Sequence, residues 1–329
     1  MKLGITFSRA ALCAAFAWSG LGASSALAAD PFPSKPIRIV VPFGAGSSLD
    51  LIARIIAVPM AQQMKQGVIV ENKTGAGGDI GTDAVAKAPK DGYTIVVTGI
   101  GNMVINPMIK KNFPYDPVKD LAPVLLIGVG PNGLFVTPEF KPQTLSEFIA
   151  YAKANPGKIR YGSAGVGTSN HMAGELFKYL TQTDIQHVPY KGTNEAMTDV
   201  MGGRIEALFS GLPPVMALVQ SGRLRPIAMF DSKRAPALPN VPAVAEAGLP
   251  GAEAAAWYCV VAPAGTPPDV LERLRTEITT ALQSADVRAQ FAKLGIEPTP
   301  GSSAQLRDLI AKETTRWKKV VDSAHITAD

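Results

Sequence analysis

The order of apolar runs in this sequence predicts an α/β fold of two lobes, with a mostly parallel sheet in each. Two observations carry that prediction, and a third places a binding cleft. Strand-like and helix-like segments alternate along the chain, which favours parallel sheets with crossover helices. A late apolar run, residues 257–262, reads as a strand returning to the first sheet after a second lobe has been built. Three times a short apolar run ends in a cluster of Gly, Ala and Ser and then opens into a helical pattern: IRIVVPFGAGSSLDLIAR (residues 37–54), VIVENKTGAGGDIGTDAVAKA (68–88) and IRYGSAGVGTSNHMAGELF (159–177). Such turns leave the first N–H groups of a helix unpaired beside the positive end of its dipole, a ready site for a carboxylate or phosphate.

Taken in order, residues 37–41 form a first strand, and the helix behind it puts Ile52, Ile55, Ile56 and Met60 on one face. Residues 68–71 and 94–98 are the next strands. Residues 124–130 and 134–137 are apolar and β-prone, joined by Pro131-Asn132-Gly133, where the chain is expected to cross into the second lobe. There Thr144-x-x-Glu147 reads as a capping box that starts a helix through Tyr151. Strands at 160–162, 186–188 and 207–210 alternate with helices near 170–180, 193–201 and 214–220, and 224–230 is a further strand. After the return strand, one helix opens at Thr266-Pro-Pro-Asp269 and carries Leu271, Leu274 and Ile278. The other opens at a capping box, Ser302-x-x-Gln305, and carries Leu306, Leu309, Ile310 and Trp317. The expected division is a leader, 1–28; a first lobe, 29–131 with 254–329; and a second lobe, 132–253. Two crossings make a hinge, and ligands of α/β sheets lie outside the carboxyl ends of strands.

The leader sets the compartment. Lys2 and Arg9 give a positive start, residues 10–18 an apolar stretch too short to span a bilayer, and Ala26-Leu27-Ala28 a small-residue cleavage site. The mature chain is expected to start at Ala29 in the periplasm, and Cys13, with no lipobox before it, is not a lipidation site. Of 32 Lys and Arg, Lys2 and Arg9 leave with the leader, so the mature chain has 30 against 27 Asp and Glu. That balance mildly favours anions and is far from the clustered basic face of a nucleic-acid binder. Cys259 alone survives processing, so no internal disulfide forms. No later segment reaches the about 18 uninterrupted apolar residues of a membrane-spanning helix.

The turns hold the candidate ligand groups. In Pro42-Phe43-Gly44-Ala45-Gly46-Ser47-Ser48-Leu49-Asp50, Gly44 and Gly46 permit close backbone approach, and Ser47 or Ser48 can cap the helix. Asp50 would complement the dipole with or without a ligand. Thr74-Gly75-Ala76-Gly77-Gly78-Asp79 is equally open to a plain strand-to-helix reading. Gly162-Ser163-Ala164-Gly165-Val166-Gly167-Thr168-Ser169 offers more, with three hydroxyls among its glycines. His171 follows it, placed either to help bind an anion or to bond a neighbouring carbonyl; His187 sits in a strand. Phe43 can flank the cleft or pack in a core, and Lys191 puts a cation near a helix start or simply faces solvent. A dinucleotide site stays as a rival reading, although the third glycine of G-x-G-x-x-G would fall at Leu49. There is no G-x-S-x-G elbow, and His171, His187 and His325 are too few for a metal site. No cofactor and no metal are expected.

In order along the chain stand PSKPIRIVVPFGAGSSLDLIAR, VENKTGAGGDIGTDAVAKAPKDGYT, NFPYDPVKDLAPV, YGSAGVGTSNHMAGELF, HVPYKGTNEAMTDVMGGRIEALF, LPNVPAVAEAGLPG and WYCVVAPAGTP. This set, spanning essentially the whole mature chain, resembles the substrate-binding proteins of tripartite tricarboxylate transporters, the Bug or TctC-like receptors. The resemblance implies a periplasmic binding protein of the type II-like Venus-flytrap class, not an enzyme, that hands a small carboxylate to a TctAB-like permease pair and acts as a monomer. It implies that loop amides of the first lobe hold one carboxylate while the second-lobe loop contacts the other end. By position the ligand groups become Phe43, Gly44, Ala45, Ser47, Ser48, Gly75, Ala76, Gly77, Asp79, Ser163, Ala164, Gly165, Thr168 and His171, with Thr168 and Ser163 donating to the ligand. The chain departs from the family pattern at Gly46-Ser47, where Gly-Gly is common, and at Asp79, where Asn is common. The other readings are an exported hydrolase or dehydrogenase acting on a small acid, and a ligand sensor for a membrane kinase.

Overall fold

The computed structural model describes Met1 and residues 32–328, so the expected leader and its cleavage site lie outside the described residues. The chain builds β1 (Ile37–Val41), α1 (Ser48–Met64), β2 (Val68–Asn72), α2 (Asp79–Ala86) and β3 (Thr94–Gly99). A π-helical turn (Gly101–Ile105) then runs into α3 (Asn106–Ile109), followed by β4 (Leu121–Gly130). The second lobe contains β5 (Asn132–Val136), α4 (Leu145–Ala154), β6 (Ile159–Ser163), α5 (Ser169–Thr181), β7 (Ile185–Pro189), α6 (Thr193–Met201), β8 (Ala207–Gly211), α7 (Leu212–Gln220) and β9 (Arg225–Phe230). The chain returns through β10 (Ala256–Pro263), α8 (Pro268–Gln283), α9 (Ala285–Lys293), β11 (Glu297–Gly301) and α10 (Ser303–Ala324).

These strands form two sheets, β11-β4-β10-β3-β1-β2 and β7-β6-β8-β5-β9. The two-lobed α/β fold stands, but the sheets are mixed rather than mostly parallel. β1 runs parallel to β2 and β3, whereas β10 is antiparallel to β3 and β4, and β11 to β4. In the second sheet β6 is parallel to β7 and β8, and β5 is antiparallel to β8 and β9. Strands joined by a crossover helix within one sheet come out parallel. A strand that arrives from the other lobe, as β5 and β10 do, is under no such constraint. The link between β4 and β5 is Pro131 alone, tighter than the three-residue crossing expected.

The helix faces follow the apolar spacing. On α1, Ile52, Ile56 and Met60 are fully buried, each contributing about 1.5–3 kcal/mol, while Ile55 is half-buried. On α8, Leu274 and Ile278 are buried and Leu271 only partly; on α10, Leu306, Ile310 and Trp317 are buried. The capping box at Ser302 forms in both directions. At Thr144 only half forms: its hydroxyl accepts from the Glu147 N–H, but the Glu147 carboxylate turns to the Gln143 N–H at 2.7 Å. Four elements were not foreseen: the π-helical turn, α3, α9 and β11. Helix α9 is capped by Ser284. Strand β11, Glu-Pro-Thr-Pro-Gly, is an edge strand, one of the places where prolines are tolerated in a sheet.

Candidate functional site

Three loops at the strand-to-helix turns meet across the space between the lobes, and each is held from behind. In the first, Ser47 caps α1, its hydroxyl accepting the Asp50 N–H at 3.3 Å. The Asp50 carboxylate accepts the Gly46 N–H at 2.8 Å and takes bonds from Arg54 and Asn72. Burial pushes the Asp50 carboxyl up, but the bonds from Arg54, Gly46 and Asn72 outweigh it and hold it below the usual range. Asp50 therefore stays anionic behind the loop, while the amides of Ser48 and Leu49 find no protein acceptor among the described residues.

The second loop is the most unusual backbone in the molecule. Gly75, Ala76, Gly77 and Gly78 have φ of 129°, 50°, 65° and 95°, four consecutive residues in the region that favours glycine. A stripe of donors spaced by four holds this shape. Asn102 Nδ2 donates to the Gly77 carbonyl at 3.1 Å and to Asp79 at 3.0 Å. Asn106 Nδ2 donates to the same two groups, and Lys110 Nζ to the Ala76 carbonyl at 2.7 Å and to Asp79. The Asp79 carboxylate, nearly fully buried, is thus occupied by Asn102, Asn106 and Lys110. It organises the loop, and Lys110 offsets its charge.

In the third loop, Ser163 is fully buried; its hydroxyl accepts the Gly165 N–H at 3.1 Å and lies 2.7 Å from His187 Nε2. Thr168 caps α5: its hydroxyl donates to the Gly165 carbonyl at 2.6 Å and accepts from the His171 N–H. His171 Nδ1 accepts the Gly167 N–H at 3.2 Å, so the ring is neutral and offers no proton at that nitrogen to an anion. Its ring centroid is 4.2 Å from that of His187. Burial, then Lys178, pushes His171 down to about 4; burial, then His171, pushes His187 down to about 3. Ser163 and His171 were expected to face ligand. The structure instead places both behind the loop, lining none of the three cavities described next.

An inner chamber of about 70 Å³ is lined by Phe43, Ser47, Ser48, Leu49, Ala164, Thr168, Ser169 and Asn170. An outer cavity of about 920 Å³ is lined by Phe43, Gly75, Ala76, Gly77, Asp79, Ala164 and Gly165 together with Lys110, Tyr190 and Lys191. Phe43 and Ala164 line both and so lie between them. Gly44, Ala45 and Ser47 face the start of α6 across a third space of about 210 Å³. The amides of Ser169 and Asn170, the first of α5, have no protein acceptor among the described residues. The lobes touch: Asn194 Nδ2 donates to the Ala45 carbonyl at 3.0 Å. A Cβ added to Gly77 would lie 2.4 Å from the Val166 carbonyl oxygen, and one added to Gly101 2.8 Å from that of Gly167.

Sequence reasoning missed Asn132, Trp257 and Tyr258 in the inner chamber, and Lys110 in the outer cavity. Asn132 sits at the first interlobe crossing, read only as a joint between strands, and Trp257 and Tyr258 at the second, in a strand read only for its apolar character. The spacing Asn102, Asn106, Lys110 was a legible helical stripe, but nothing in sequence tied it to Asp79.

Residues 52–326 match the family described as tripartite tricarboxylate transporter family receptor. The chain belongs to that family. It is 37% identical to Protein BugT of Bordetella pertussis over 91% of this chain and 92% of that one. Among solved structures, a periplasmic transporter superposes with a TM-score of 0.88 at 39% identity, covering 91% of this chain and all of the other. Rpa4515 of R. palustris, solved with adipate, gives 0.87 at 35% identity over 90% and 99% of the two chains. MatC of Rhodopseudomonas palustris, solved with malate, gives 0.85 at 31% over 88% and 100%. The receptor family thus accounts for the two mixed sheets and the facing loops, and its structurally characterised members include solute-binding proteins of the periplasm.

Proposed function

We propose that this protein captures a small organic carboxylate between its lobes and hands it to a membrane permease pair of the tripartite tricarboxylate type. It does so as a periplasmic monomer released by cleavage after Ala28. One observation carries the reading: α1 from one lobe and α5 from the other bring four amide N–H groups without protein acceptors to one small chamber. A carboxylate is an acceptor-only group with about four lone-pair sites, and each helix adds roughly half a positive charge at its start. The adipate and malate bound by two relatives are consistent with this. Because the donors come from both lobes, residues 29–131 with 254–329 and residues 132–253, the ligand gains most when the lobes are together, and that differential contact drives closure.

Catalysis has less support. Ser163 and His187 form a nucleophile-and-base pair by distance, but Ser163 is fully buried and burial holds His187 near 3. A thermal-shift panel of aliphatic, hydroxylated and aromatic carboxylates on the mature protein tests the reading. A ligand at 100 times its Kd adds about 2.7 kcal/mol, a rise on the order of 5 °C for a chain of this size. The ligand should be recovered unchanged; turnover would favour an enzyme, and no shift with any carboxylate would sink the proposal. Intact mass of the exported protein checks the start at Ala29.

A further inference from the structure

We propose that the segment after α10, residues 326–328, forms a wall of the ligand site, and that Ala328 sets how long a ligand the protein accepts. This rests on the carboxylate reading above and concerns the end of the ligand farthest from the anchoring amides. Helix α10 ends at His325, whose φ of 51° turns the chain off the helix axis. The Ile326 N–H closes that turn on the Val321 carbonyl at 3.1 Å. Its side chain, 6% exposed, is buried in the same core cluster as Ile105 and Ile109. Two residues on, the Ala328 N–H donates to the Ile109 carbonyl at 3.2 Å. Ala328 itself lines the outer cavity, with Lys110, Lys111, Asn112 and Pro114.

The bond to Ile109 ties this segment to the site. Ile109 is the last residue of α3, and the last carbonyls of a helix have no partner within it. The C-terminal segment supplies one. The next residue is Lys110, which donates to the Ala76 carbonyl at 2.7 Å and pairs with Asp79, holding the second loop. Residues 326–328 thus act as a strap behind the stretch of chain that clasps the loop. The outer cavity has three sides: the second loop with Phe43, Tyr190 and Lys191 from the other lobe, and the stretch after α3 with Ala328. The donors of α3 fix the first side, and the second moves with its lobe. The third is completed by a small, half-buried side chain on a strap held by one buried residue and one hydrogen bond. At about 920 Å³ the cavity stands near the top of the range of ligand pockets, roughly 300–1,000 Å³. It has room for a long ligand, and the residue at 328 bounds that room.

The test is calorimetric titration of the mature protein and two variants with carboxylates graded in length: succinate, adipate and sebacate, and benzoate with 4-butylbenzoate. Ala328→Trp should weaken the longest member that the parent binds by about 5–150-fold, the range that overpacking costs, and leave the shortest within about twofold. A chain ending at His325 lacks the strap, so its long-to-short affinity ratio should move the other way, or it should admit long members that the parent refuses. A ratio unchanged in Ala328→Trp overturns the proposal while leaving carboxylate capture standing. So does an equal loss at every length, the mark of a merely structural role, or a parent and a shortened chain that both bind the shortest members alone. If the shortened chain does not fold, Ala328→Trp decides, since its position is only half-buried. Failure of every carboxylate to bind the parent overturns carboxylate capture itself.

Discussion

Gly101→Ala isolates the contact between lobes from the folding of each lobe. Gly101 begins the π-helical turn after β3, and its φ is not in the left-handed region, so alanine adds no backbone strain there. In a helical position alanine is in fact preferred over glycine by about 0.8–1 kcal/mol. Yet the added methyl would lie 2.8 Å from the Gly167 carbonyl oxygen of the other lobe and 3.5 Å from the Thr168 Cα. Comfortable carbon–oxygen contact is about 3.3–3.6 Å, so the loops must part by roughly half an ångström or more. Backbone lies on the far side, with no flexible side chain to yield. Overpacking of this kind costs about 1–3 kcal/mol, which is roughly 5–150-fold in Kd. Because the clash exists only when the lobes are together, the ligand-free protein should melt within a degree or two of the parent. Calorimetry with the tightest carboxylate of the panel measures the affinity, and small-angle scattering the change in radius on binding. As a control away from the cleft, Gly67→Ala adds a methyl in ordinary contact, 3.5 Å from the Pro36 Cβ, and should keep its affinity. A Kd for Gly101→Ala within twofold of the parent would refute the claim that this contact is part of the ligand-bound state.

Thr168→Val removes the cap of α5 and the bond to the Gly165 carbonyl; it should cost about 1–2 kcal/mol in a denaturant melt and change Kd only a few-fold, whereas a 10–100-fold loss with an unchanged melt would return Thr168 to the ligand. Asp79→Asn leaves Lys110 without its counter-charge and sets one amide against those of Asn102 and Asn106, so stability should fall by about 1–3 kcal/mol, and an unchanged melting temperature would show that the cluster does not hold the second loop. The buried histidines make stability depend on pH: His171 lies near 4 and His187 near 3 in the folded protein, against an ordinary 6.5. Below pH 6.5 the unfolded chain takes up protons that the folded chain refuses, so this contribution is complete above 6.5 and drains away as pH falls towards 4, on the order of 3 kcal/mol for one ring. Denaturant melts at pH 7, 5.5 and 4.5 measure it, and His171→Asn should flatten the profile; a parent profile already flat over that range would contradict it.

The features that sequence made legible are those encoded locally. The apolar faces of α1, α8 and α10, the caps at Ser47 and Ser302 and the three Gly-rich turns each rest on a few neighbouring residues, and all stand in the structure. Sheet direction was not local: whether β10 lies parallel or antiparallel to β3 depends on a chain that has left for the other lobe and come back. The prolines of β11 hid a strand because its pairing is confined to one edge. Cavity lining follows position within a turn more closely than side-chain chemistry. Phe43, Ser47, Ser48 and Ala164 line the inner chamber, and Gly75, Ala76 and Gly77 the outer cavity. The more reactive-looking Ser163, Asp79 and His171 are engaged in holding loops. Asn132 and Trp257 lie 125 residues apart in sequence and line one chamber only because both crossings run beside it.

A crystal structure with the tightest carboxylate of the panel tests the central claim most directly. The account predicts one carboxylate of the ligand within hydrogen-bond distance of the amides of Ser48 or Leu49 and of Ser169 or Asn170, with the remainder leading past Phe43 into the outer cavity. A ligand seated away from this chamber, or bound through one lobe alone with the other swung clear, would contradict it.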